Sequence, residues 1–123
     1  MTPELESLGR RAIACKGWRW MPGMRNGRDE SRHMGALQWA WQDPYRAHVR
    51  GIECDEWPDF SDPATLGCLL ALVREVREDP LICAYVDNTG CGWWLDGWAD
   101  SRLYGDLHDT EAAALVAALE AAP

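Results

Sequence analysis

Phenylalanine and lysine are almost missing from this chain. It has one of each (Phe60 and Lys16) among 123 residues, against eight tryptophans and a basic set that is otherwise all arginine. The arginine bias reflects a GC-rich coding sequence and carries no chemistry. No CxxC pair occurs among the five cysteines, Cys15, Cys54, Cys68, Cys83 and Cys91. Together with His33, His48 and His108 they show no zinc-ligand spacing. An odd number of unpaired thiols is expected of a cytoplasmic protein that keeps them reduced and mostly buried. No apolar run approaches the roughly 20 residues that cross a bilayer, and no charged-then-apolar leader opens the sequence. GxSxG, HExxH, GxxxxGK[ST] and GxGxxG are all missing, which removes the commonest hydrolase, zinc-protease and phosphate-cradle readings. No catalytic residue, metal or cofactor is therefore expected.

The chain has the length of a single domain spanning 1–123, enough to bury about two-thirds of its unfolded surface. Its net charge is −8, unevenly placed: residues 1–50 carry +4 and residues 51–123 carry −12. That balance argues against general nucleic-acid binding, which needs cations on phosphates; no membrane partner is expected either, since no run is long and apolar enough.

The clearest element runs from Asp62 to Asp79. Asp62 is a capping carboxylate, Pro63 suits the first helical position, and Leu66, Leu69, Leu70, Val73 and Val76 recur at helical spacing. Asp79-Pro80 stops it. We read the chain as arranged around this helix. A shorter helix follows the cap Thr2-Pro3-Glu4 and ends near Gly17. A third opens at Thr110 or Asp109 and is alanine-rich. Strands are expected at Trp18–Met21, at Leu37–Trp41, at 45–52, and as a hairpin of Leu81–Val86 and Cys91–Leu95 about the turn Asp87–Gly90. Leu81–Val86 is apolar at every position, as in a strand covered on both faces.

Two polar stretches are candidate sites. The loop GMRNGRDESRHMG (23–35) places Arg25, Arg28 and Arg32 either as a basic rim around a site or as a solvated loop. The segment ECDEWPDFSD (53–62) is half acidic. Glu53, Asp55, Glu56 and Asp59, with Trp57 as an apolar anchor, form a protein-docking patch, a solvated loop or a set of divalent-metal ligands. The glycine that a calcium loop needs at its turn is missing. Cys91 would need a base to act as a nucleophile, and His108 is the nearest in sequence.

Three segments, ACKGWRWMPGM (14–24), DFSDPATLGCLLALVRE (59–75) and TEAAALVAALEAA (110–122), resemble a group of small phage and prophage proteins, the phage ABA sandwich domain. The resemblance implies an α/β (α+β) single-domain α-β-α sandwich, with about three helices around an antiparallel or mixed sheet of three to five strands. It also implies a phage origin and life in the host cytoplasm. It implies no activity, because fold does not fix function. A small acidic phage protein without catalytic motifs is expected to work by binding. The first expectation is a non-enzymatic inhibitor of a host protein, a counter-defence factor such as an anti-CRISPR. A nucleotide or other small-molecule sponge using tryptophan and arginine is the alternative. A hydrolase with scattered carboxylates is the third.

Overall fold

A computed structural model describes residues 2–28, 30–32, 56–90, 92–97 and 107–122. The expected strands at 37–41 and 45–52 lie outside the described residues, as do Glu53, Asp55 and Cys91. Among the described residues the fold is mixed α+β. The order is α1 (Pro3–Ile13), α2 (Pro63–Val76), β1 (Cys83–Val86), β2 (Trp93–Asp96) and α3 (Glu111–Glu120).

Each helix begins on its expected cap. Thr2 Oγ1 accepts from Leu5 N at 3.3 Å, Asp62 Oδ2 from Thr65 N at 3.0 Å, and Thr110 Oγ1 from Ala113 N at 3.0 Å. Proline occupies the start of α1 and α2, where its missing donor costs nothing. The end of α2 differs from expectation. It stops at Val76, before Asp79-Pro80, because Glu78 takes a left-handed conformation (φ 53°) and Asp79 N reaches back to Arg74 O at 3.0 Å. That closure satisfies the last carbonyls before proline is reached.

The helix at the centre is α3, not α2 as the sequence suggested. It touches α1, α2 and both strands. Ala112, Ala114, Leu115, Val116, Ala118 and Leu119 are all buried, so it is covered nearly all round rather than along one stripe. Its alanines let neighbours approach closely. From α2, Leu69 and Val73 are fully buried against it, with Leu66, Leu70 and Val76 half-buried in the same core. Leu72 is also fully buried, off the stripe read from the sequence. Two arginine contacts tie the helix ends together. Arg77 donates through Nε and Nη2 to Ala118 O at 3.2 and 3.0 Å. Arg11 forks onto Glu120, with Nε to Oε2 at 3.1 Å.

The sheet has two antiparallel strands among the described residues, with Tyr85 opposite Trp94 and Cys83 opposite Asp96. Asp87 accepts from Thr89 and Gly90 and donates to Gly92 O, which shapes the expected turn. His108 exchanges both backbone hydrogen bonds with Trp93, at 2.7 and 2.8 Å, extending the sheet by one residue. Ala84, Trp93 and Leu95 face the core. The expectation that Leu81–Val86 is covered on both faces does not hold. Leu81, Tyr85 and Val86 are exposed, Tyr85 resting on its cross-strand neighbour rather than under a second layer. Residues 18–21 lie outside any strand. Trp18 and Trp20 still share a side, meeting edge to face at 5.6 Å, with Phe60 beyond Trp18 at 6.4 Å.

Gly9 marks where α1 sits against the segment leading into α2. A Cβ there would lie 2.8 Å from Pro58 O and 3.0 Å from Trp57 Cβ. Gly67, in α2, faces open space. Alanine normally stabilises a helix interior over glycine. Gly67→Ala should therefore raise stability by about 0.5–1 kcal/mol. Gly9→Ala should lower it by about 1–3 kcal/mol through overpacking. Reversible urea denaturation of both variants reads the signs, and a stabilised Gly9→Ala would mean that α1 does not seat on residues 57–58.

Candidate functional site

Residues 24–28 and 30–32 lie against residues 57–65. Arg25 and Asn26 pair with the opposing chain, as Asp59 N donates to Arg25 O at 2.9 Å and Gly27 N donates to Trp57 O at 2.8 Å. Arg25 N donates to Thr65 Oγ1 at 2.7 Å, and that hydroxyl donates to Asp62 Oδ2 at 2.8 Å. Arg32 closes the set with two nitrogens on the two oxygens of Asp62, at 2.5 and 2.8 Å, and a third contact to Gly23 O at 3.1 Å. The Asp62 carboxylate thus serves the helix, the loop and Thr65 together.

Two of the three arginines read as a basic rim are consequently engaged inside the molecule. Arg25 lies 3.4 Å from Asp59 and 3.1 Å from Glu30. Arg32 is held by Asp62. Arg28 is exposed, its backbone N donating to Asn26 Oδ1 at 3.0 Å.

The acidic stretch divides in the same way. Asp59 is 4% exposed and accepts from Ser61 N and Oγ, so it shapes the turn into α2. Trp57 is half-buried beside Gly9, and the Arg10 guanidinium lies over its ring at 4.8 Å. Glu56 is half-buried. The structure therefore brings Arg25, Arg32, Asp59 and Asp62 into one network, with Trp57 packed alongside.

The outer face of the β1–β2 hairpin is a surface that sequence reasoning missed. Alternation along antiparallel strands puts Cys83, Tyr85, Trp94 and Asp96 on one side. The Tyr85 and Trp94 rings lie 5.2 Å apart, tilted by 31°, and Tyr85 is 45% exposed. Arg74 reaches the strand from α2, donating to Ile82 O at 2.8 Å and approaching Cys83 Sγ at 3.7 Å. The Cys83 sulfur, first by its charge, together with burial and the nearby Asp96 carboxylate, pushes the Tyr85 phenol above its ordinary value. The phenol therefore stays neutral and keeps its proton. The cross-strand register was the available signal, since a turn at 87–90 sets tyrosine opposite tryptophan.

A depression of about 350 Å³ lies where the C-terminal ends of the three helices meet, among Arg11, Cys15, Lys16, Val76, Leu119 and Glu120. Its charges largely answer one another through the Arg11–Glu120 pair. The Cys15 thiol donates to Arg11 O at 3.4 Å, and burial, aided by Glu120, pushes its pKa up. It is therefore protonated at neutral pH and a weak nucleophile. Among the described residues, no group of three or more His, Cys, Asp or Glu side chains is placed to hold a metal ion. No described helix is long and apolar enough to cross a membrane.

Comparison of the chain with protein-family models, with curated proteins and with solved structures finds no match.

The Asp62 network yields a pH prediction. Hydrogen bonds from Arg32, and then from Thr65, hold the Asp62 carboxyl well below the usual carboxylate range. A lowered folded-state pKa contributes stability that is complete above the unfolded value, near pH 4, and is lost as pH falls toward the folded one. Asp62→Asn keeps a capping oxygen but loses the charge. At pH 7 it should cost about 1 kcal/mol, because the exposed Arg32 keeps the pair's own share small. The gap from wild type should narrow steadily below about pH 4. Chemical denaturation from pH 7 to pH 2 measures it, and a gap that stays constant would remove the charge from the account.

Proposed function

We propose that this protein acts by binding another protein, as a non-enzymatic inhibitor of a host protein in the host cytoplasm. The particular reading is a phage-encoded counter-defence factor of the anti-CRISPR kind. The finer architecture, an α-β-α sandwich with three to five strands like the phage ABA sandwich domain, belongs to the same proposal. One observation carries the binding reading: the outer hairpin face, where Tyr85 and Trp94 pair with Tyr85 exposed, and exposed Leu81 lies just before β1. Exposed apolar groups gathered on one face of a small protein mark an interaction surface, and aromatic rings are the commonest anchors of such surfaces. Trp57 and Asp59 are already engaged within the molecule, so the hairpin is a better candidate surface than the acidic stretch. The net charge of −8 suits occupation of a groove that otherwise receives nucleic acid.

The same rings favour a second reading, a small molecule stacked on them. A nucleotide fits less well, because Asp96 on that face repels phosphate.

The test is phage plaquing on a host whose CRISPR immunity targets that phage. Expression of the wild-type protein should restore plaquing by orders of magnitude, and Tyr85→Leu with Trp94→Leu should abolish the rescue while far-ultraviolet dichroism stays unchanged. Unrestored plaquing with the wild-type protein expressed would overturn the counter-defence reading. Full rescue by the double variant would overturn the role of the hairpin face.

A further inference from the structure

We infer that the outer hairpin face receives an arginine side chain of the partner protein, stacked on the Tyr85–Trp94 pair with Asp96 as its counter-charge; this rests on the binding reading above and names the chemistry of the partner. Four observations converge. The rings are paired across the strands and Tyr85 is nearly half exposed, so a planar group can reach a π-face. Asp96 is two residues from Trp94 on the same face, opposite Cys83. Residues 81–97 contain two charged residues, Asp87 and Asp96, both acidic. Arg74 is the cation that reaches this hairpin from α2, and its donors are directed at Ile82 O and Cys83 Sγ. The ring pair lies one pleat along from them.

A cation over an aromatic face is attracted by the ring quadrupole, and a neighbouring carboxylate adds a directional partner. A guanidinium uses both at once, since it is flat enough to stack and carries donors along its edge. An ammonium gains the charge but stacks poorly. The chain already contains the arrangement, in Arg10 over Trp57 at 4.8 Å. A phosphate-bearing ligand meets two carboxylates and no free cation within the hairpin. A second copy of the chain would bring like charge to the same face.

The probe is a fluorescein-labelled hexa-arginine peptide, with hexalysine as its partner in charge. Both are titrated by anisotropy into wild type, Trp94→Leu, Tyr85→Leu and Asp96→Asn at low and physiological salt. Tyr85→Leu, at an exposed position, guards against loss of fold at Trp94, and thermal melting checks all three. Hexa-arginine should bind the wild type more tightly than hexalysine. Each aromatic variant, whose net charge is unchanged, should weaken hexa-arginine about tenfold and hexalysine much less. Asp96→Asn should weaken both peptides. Equal hexa-arginine affinity in wild type and both aromatic variants would overturn the inference. If those variants still abolish plaquing rescue, the face docks a partner without arginine and the binding reading stands alone. Sedimentation showing a dimer that Tyr85→Leu dissolves would also overturn it, in favour of a second copy.

Discussion

A single buried carboxylate sets how the loop around Arg25 and Arg32 meets the start of α2. Asp62 accepts from the first turn of α2, from the Thr65 hydroxyl and from both terminal nitrogens of Arg32. Buried and 8% exposed, it cannot fall back on water, so these donors are the condition for its ionised state. Thr65, fully buried, passes the network on by accepting from Arg25 N. One cap thereby fixes the start of a helix and the course of the loop that lies on it. Gly9 then lets α1 close against the same segment.

The second organising fact is the burial of α3. A ten-residue helix rich in alanine has high intrinsic propensity, yet at that length it is marginal alone. Packing against α1, α2 and the hairpin supplies what length does not. The Arg77 contact to Ala118 O and the Arg11 fork on Glu120 then lock the ends where three helix C-termini meet. Cationic side chains at those ends also match the helix dipoles. The hairpin is supported by α3 on its inner side, which leaves Tyr85 and Trp94 on a firm base facing outward.

Local rules were legible in the sequence where local chemistry decides. Thr2, Asp62 and Thr110 cap as their side chains require, and the Asp87–Gly90 turn forms where its residues permit it. What composition could not reveal was which residues meet across long separations. Arg25 and Arg32 read equally as a free rim or a solvated loop, because their partners lie 30 or more residues away in Asp59 and Asp62. The stripe on α2 marked that helix as the organiser, whereas α3 carries alanine beside its packed side of Ala112, Leu115, Val116 and Leu119, and an apolar surface nearly all round is a weaker periodic signal. Trp57 reads as an exposed anchor until Gly9 is seen beside it. The hairpin face needed a strand register, which turn residues suggest but do not set alone.

The central claim is that Asp62 organises the loop as well as the helix. Amide hydrogen exchange at single-residue resolution, compared between wild type and Asp62→Asn at pH 7, tests this directly. Protection should fall at Arg25, Asn26 and Gly27 together with Thr65, while Leu69, Val73 and Leu115 keep theirs. Loss confined to Thr65, with Arg25 to Gly27 protected as before, would contradict it and reduce Asp62 to an ordinary helix cap.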